Sequence, residues 1–113
     1  MTIEEKIIEY LTDKGYAVYA ERPPNPPEQY LIIDRISGEI RNYLYRAQVA
    51  IQSNAPTLAE AMRLNERVTR DMLRFTECDD ITHSSLENTY NYTNTADKQY
   101  RYQAVFNLYY YGG

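Results

Sequence analysis

The hydrophobic positions of this chain recur with two periods, and each change of period marks an element. Ile3, Ile7, Ile8 and Leu11 are spaced as on one helix face, with Thr2 and Glu5 in a capping-box pattern before them and Gly15 as a stop. These signals predict a helix over about residues 2 to 14. Tyr16 to Ala20 is a short strand candidate. Arg22-Pro23-Pro24-Asn25-Pro26-Pro27 has no backbone donor at four positions, so Glu21 to Tyr30 reads as an extended, stiff loop. Tyr30 to Arg35 is a strand rich in branched apolar residues, and Ser37-Gly38 is a turn signal.

Two later stretches alternate with period two in nearly the same way. Tyr43-x-Tyr45-x-Ala47-x-Val49-x-Ile51 places tyrosines, an alanine and branched residues on one strand face, and Tyr100-x-Tyr102-x-Ala104-x-Phe106-x-Leu108 repeats the arrangement. The alternate positions, Leu44, Arg46, Gln48, Ala50 and Arg101, Gln103, Val105, Asn107, are mostly polar. That is the signature of a sheet with one packed face and one face left for water or a partner. Between the two strands, Thr57 and Glu60 repeat the capping-box pattern. They open a helix carrying Leu58, Ala61, Met62, Leu64, Val68, Met72, Leu73 and Phe75 and ending at Cys78-Asp79-Asp80. Ile81 to Ser84 and Leu86 to Tyr92 read as two short strands, Asn94 to Asp97 as a polar turn, Gln99 to Tyr111 as the last strand, and Gly112-Gly113 as a loose tail. The fold class predicted is α+β: one structural domain over residues 1–113, with a mainly antiparallel sheet of about five to six strands and two helices packed on one face. Both halves pair a Thr-x-x-Glu helix start with a tyrosine strand, as a duplication would leave them; convergence of two central strands on one core is the simpler account and the one favoured.

Composition narrows the function classes. A length of 113 residues allows one core, and 43% hydrophobic with 25% charged residues is ordinary for a globular domain. No apolar run approaches the ~20 residues that span a bilayer. The acidic, amphipathic start Met1-Thr2-Ile3-Glu4-Glu5-Lys6 does not read as a secretory signal, so synthesis in the cytoplasm is expected. A net charge of −4 argues against sequence-independent nucleic-acid binding. The 13 tyrosines, beside two phenylalanines and no tryptophan, suit sheet surfaces and interfaces alike.

Candidate chemistry is sparse. The one histidine, His83, lies near Glu77, Asp79 and Asp80 without the ligand spacing of a metal site, and His83-Ser84-Ser85 has no triad logic. Cys78 sits beside acidic neighbours that raise a thiol pKa, which makes it an inert thiol. No glycine-rich phosphate loop is present. The reading is a protein without catalytic residues, cofactor or metal. Three surfaces remain as candidates for partner contact. Arg63, Arg67, Arg70 and Arg74 share one side of the second helix; they form either a docking stripe for an acidic surface or a solvated face neutralised by Glu66–Arg70 and Arg67–Asp71 pairs. The proline loop, with Arg22, Pro23, Pro24 and Pro27, either presents contacts at low entropic cost or only joins two strands. The polar sides of the tyrosine strands offer Arg46, Arg101 and Gln103.

Several stretches, in order, resemble the tail-completion (tail terminator) and neck proteins of long-tailed bacteriophages. They are Glu21-Arg22-Pro23, Pro27 with Tyr30-Leu31-Ile32-Ile33-Asp34, Tyr45-Arg46-Ala47-Gln48-Val49-Ala50-Ile51-Gln52-Ser53, Ala59-Glu60-Ala61 and Tyr100-Arg101-Tyr102-Gln103-Ala104-Val105-Phe106-Asn107-Leu108. The resemblance covers most of the chain, through strand patterns rather than chemical motifs. It implies a virion structural protein of the tail or neck, assembled in the host cytoplasm. Such a subunit forms a homo-oligomeric ring, often a hexamer, that caps the tail tube protein and joins it to the head–tail connector proteins, with DNA passing through the ring without specific binding. Other head–tail connector or minor capsid proteins share this size and layout. A third reading is a small ligand- or peptide-binding module whose pocket Tyr43, Tyr45, Tyr100 and Tyr102 would line, with room left by Ala47 and Ala104.

Overall fold

The computed structural model describes residues 2–41, 43–94, 96 and 99–111. Helix α1 (Ile3–Asp13) begins where the sequence signals it: the Thr2 side chain accepts from the Glu5 backbone N–H, and the Glu5 carboxylate accepts from the Thr2 N–H. Those bonds hold the Glu5 carboxyl below its usual range. Lys14 caps the other end, and Gly15 takes the left-handed conformation, φ 98°, that turns the chain away. Strand β1 (Val18–Tyr19) is short and runs parallel to β2 (Tyr30–Arg41). Strand β3 (Leu44–Ala55) returns antiparallel to β2. Helix α2 (Leu58–Met72) starts at Thr57, whose hydroxyl oxygen accepts from the Glu60 N–H; a single 3-10 turn (Phe75–Glu77) follows. Strands β4 (Ile81–Asn91) and β5 (Tyr100–Tyr111) complete the sheet.

The five strands lie in the order β1-β2-β3-β5-β4, antiparallel except for the β1–β2 pair, with both helices on one face. The fold class predicted from the sequence is the one observed. The two tyrosine strands are direct neighbours at its centre. Ala47 stands opposite Leu108, Val49 opposite Phe106 and Ile51 opposite Ala104, and all six are buried beneath the helices. Helix α2 presses Ala61, Leu64, Val68 and Met72 onto this centre, while α1 brings Ile3, Ile7 and Leu11 against β1 and β2. Phe75 closes the core below Tyr10, their rings 5.0 Å apart.

Four expectations change. Ser37-Gly38 is not a turn: both residues lie inside β2, paired with Gln48 and Ala47, after a bulge at Ile36. The reversal comes beyond Arg41, where Tyr43 adopts the left-handed conformation at φ 67°. Tyr43 therefore sits in the turn rather than on the strand face. Ile81–Ser84 and Leu86–Tyr92 merge into one strand, β4, because two bulges, near Thr82 and Glu87, absorb the irregularity that reads as a break. Arg74 lies beyond the end of α2 rather than within it. The turn expected at Asn94–Asp97 and the tail at Gly112-Gly113 fall wholly or partly outside the described residues.

Candidate functional site

Three surfaces carry the polar residues singled out by sequence. The first is the sheet face opposite the helices, which no helix covers. Two rungs of hydrogen-bonded side chains cross it. Gln52 donates to Gln103 at 3.1 Å, and Gln103 in turn donates to the Tyr90 hydroxyl. Four residues further along, Gln48 and Arg46 donate to Asn107 at 3.4 and 3.5 Å, and Asn107 donates to Glu87. Between the rungs lie the small or apolar residues Ala50 and Val105, directly paired and both buried by their neighbours. Arg46 also approaches Glu39 at 3.7 Å. Arg101 is occupied locally: it donates to the Tyr92 carbonyl and to Gln99, and its guanidinium lies 5.0 Å from the centre of the Tyr92 ring. The face is consequently flat and internally bonded, with Gln103 buried.

The second surface is the arginine stripe. Arg63, Arg67 and Arg70 project from α2 on the side away from the sheet and all are exposed. The i,i+4 pairs that would neutralise them do not form. Arg67 donates instead to Gln29 at 3.2 Å, and the Asp71 carboxylate accepts from the Tyr16 hydroxyl at 2.6 Å. Among the described residues, no carboxylate lies within ion-pair distance of any of the four arginines, Arg74 included. Gln29 ends the proline loop, so the loop and the stripe meet there. An open depression of 590 Å³ lies between them, bordered by Gln29, Glu60, Arg63, Glu66, Arg67 and Arg70.

The third surface is the proline loop itself. Arg22, Pro24 and Pro27 are exposed, while Pro23 is half-buried. The structure brings this loop and the stripe together on the helix side of the molecule, and sets Arg46, Arg101 and Gln103 on the opposite side of the sheet. The two groups cannot meet one flat partner at once.

Candidate chemistry stays scattered. Among the described residues, no three His, Cys, Asp or Glu side chains are grouped to hold a metal ion. His83 packs edge-on against Tyr109 at 5.6 Å on the bare face. Burial, with Glu77 and Asp79 beside it, pushes the Cys78 thiol up from its ordinary pKa. The tyrosine pocket has no room. Ala47 and Ala104 are fully buried, Tyr45 stacks on Tyr110 at 5.3 Å, and Tyr43 sits exposed in the turn.

One feature lay outside the sequence reading: which apolar side chains stay uncovered. Ile36, Ile40 and Tyr43 on the β2–β3 hairpin, Leu58 and Met62 on α2, Leu73 just past its end, and Leu86 on β4 are all exposed. The helix residues had a signal, since their positions on the helical wheel differ from those of Leu64 and Val68. No helix of the described residues is long and apolar enough to cross a membrane. No family model matches this chain, and no curated protein matches it.

Proposed function

We propose that this chain is a structural subunit of a long-tailed bacteriophage virion, a tail-completion protein that assembles as a homo-oligomeric ring on the tail tube and meets the head–tail connector. The observation that carries the reading is the kind of surface the domain exposes. Ten large hydrophobic side chains stand exposed among the described residues, next to a flat sheet face and an unpaired arginine stripe. A lone enzyme domain places its unusual groups in a cleft; here they lie on open surfaces, as protein–protein contact requires. The strand and loop stretches that resemble tail-completion proteins support the station at the tail. The net charge of −4 supports a ring through which DNA slides without being held.

Sedimentation velocity of the purified chain, followed by electron microscopy with isolated tail tubes, tests the reading. The expected result is a ring in solution or on the tube, with occupied tube ends. A chain that stays single in both settings and leaves the tube ends free is not a tail-completion subunit.

A further inference from the structure

The sheet is wider than the helix layer above it, and it is left uncovered at both edges. At one edge, β2 and β3 run on past the start of α1 as a ribbon whose β3 side stays paired to β5 as far as Leu44–Tyr111. On its helix-side face Ile40 pairs with Tyr45, whose ring stacks on the buried Tyr110, and a 570 Å³ hollow bordered by Arg35, Glu39 and Arg46 opens in front of Gly38. Ile40 is 65% and Tyr43 84% exposed, with Ile36 beside them at the bulge. At the other edge, α2 lies mainly over β3 and β5 and touches β4 through two hydrogen bonds, Asn65 to Thr89 and Ser84 to the Met72 carbonyl. Leu86, opposite the buried Phe106, faces the helix layer between those two bonds and stays 37% exposed.

The wheel of α2 completes this second site. Asp71, on one flank of the buried arc, meets Tyr16 on the α1 side, whereas Asn65, on the other flank, donates to Thr89 of β4 at 2.9 Å. Leu58 and Met62, and Leu73 at the C-cap, follow Asn65 round the helix within an arc of about 60° that also holds the half-buried Thr69. They line the flank of α2 toward β4, Leu58 and Met62 at one end and Leu73 at the other, with Leu86 on the floor between. A projecting apolar ribbon at one edge of the sheet thus matches an apolar step at the other.

We propose that these two surfaces are the two halves of one contact between copies of this chain: the β2–β3 ribbon of one copy seats against the α2–β4 step of the next. The inference rests on the self-association in the reading above and names the surfaces that make it. A second copy is the favoured occupant for three reasons. The two surfaces differ and sit at opposite edges, the condition for a head-to-tail contact that closes into a ring. Together the seven residues expose on the order of 700 Å² of mostly apolar surface, about three quarters of the ~900–1,000 Å² apolar share of a ~1,600 Å² interface. Bulges in β2 and β4 break the regular edges that pairing strand to strand would need, which leaves side-chain packing as the means of contact.

Charged substitutions at exposed positions test it. Ile40→Glu alters only the ribbon and Met62→Lys only the step; circular dichroism and melting verify that both variants fold. Sedimentation velocity, in solution and on isolated tail tubes, should show each variant alone weakened in self-association by about ten-fold or more. Mixed one to one, they should recover pairs and nothing larger, because each pair joins the one intact ribbon to the one intact step and leaves only altered surfaces free. Tyr43→Asn, which suits the left-handed backbone and removes only the ring, should weaken assembly without lowering the melting temperature. Wild-type assembly in the Met62→Lys variant overturns the proposal, as does a mixture that stays single. If the wild type forms rings that both variants leave intact, the contact is wrong while the tail reading stands. If pairing behaves as expected but tube ends stay empty, the contact stands and the tail reading falls. A wild type that is single in both settings removes both.

Discussion

Asp71 shows how little of the side-chain bonding is local. In the sequence it stands four residues after Arg67, the spacing of a helical ion pair, yet it accepts instead from the Tyr16 hydroxyl at 2.6 Å, while its backbone carbonyl accepts from the Tyr10 hydroxyl at 2.7 Å. Both tyrosines come from the other helix or its exit, so no local pattern reveals them. Desolvation raises both phenols, Tyr10 to about 12, where Glu77 and Asp71 push the same way, and Tyr16 further, with its bond to Asp71 adding to the effect. A raised phenol pKa means that the folded state holds the proton more tightly than the unfolded chain, which releases it near pH 10. The stabilisation is whole below about pH 10 and is lost as pH climbs from there toward the folded values. Urea midpoints should therefore begin to slip near pH 9, where the Cys78 thiol, also raised by folding, starts to titrate in the unfolded chain, and fall more steeply above about pH 10. Tyr16→Phe should lose about 1–2 kcal/mol at pH 8, since the half-buried Asp71 carboxylate loses its donor, and should fall less steeply above pH 10. An alkaline limb as steep as that of the wild type would assign the effect elsewhere. Ser53 runs the other way. It is fully buried on the helix side of β3 with a hydroxyl that has no partner among the described residues, so Ser53→Ala should raise the urea-derived stability by about 1 kcal/mol.

Elements were legible wherever a cap or a period spoke clearly, and misread where turn chemistry occurs inside a strand. Both helix starts follow from Thr-x-x-Glu, and Thr57→Ala should cost about 1 kcal/mol in thermal unfolding by leaving the Glu60 N–H without its acceptor. Ser37-Gly38 has the composition of a turn, but Gly38 lies opposite Ala47 in a ladder whose register is set by the buried pair Ile33–Ile51. Moving the reversal to Gly38 would break every pair beyond the bulge. The chain turns instead at Tyr43, a large residue in a conformation that favours glycine or asparagine. Its ring is mostly exposed and stabilises little within the domain, so Tyr43→Asn should raise the melting temperature by the equivalent of about 0.5–1 kcal/mol. The same reasoning separates the apolar residues of α2. Leu64 and Val68 face the sheet, while Met62 and Leu73, equally apolar in a list, lie on another arc; position on the wheel, not count, carried the information.

At the scale of the molecule, the sequence showed that a two-faced sheet exists but not the order of its strands. The twin tyrosine patterns were readable one by one; their direct pairing was not, because residues 44 to 55 and 100 to 111 are joined through a helix and another strand. That order produces a body of 45 × 24 × 23 Å with helices over its middle, and it places the uncovered apolar groups at the edges and the arginine stripe on top. The two kinds of surface should respond differently to salt. Apolar contacts between copies should persist when the screening length shrinks from ~8 Å at 0.15 M to ~3 Å at 1 M, whereas docking that relies on exposed arginines should weaken. Arg63, Arg67 and Arg70 lack carboxylate partners among the described residues, so replacing all three with glutamine should change folding stability by no more than about 0.5 kcal/mol. Sedimentation velocity on that variant should match the wild type, while electron microscopy should find fewer occupied tube ends, as it should for the wild type in 1 M salt. If the triple variant stops self-associating instead, the stripe belongs to the contact between copies, and the apolar ribbon and step are only part of it.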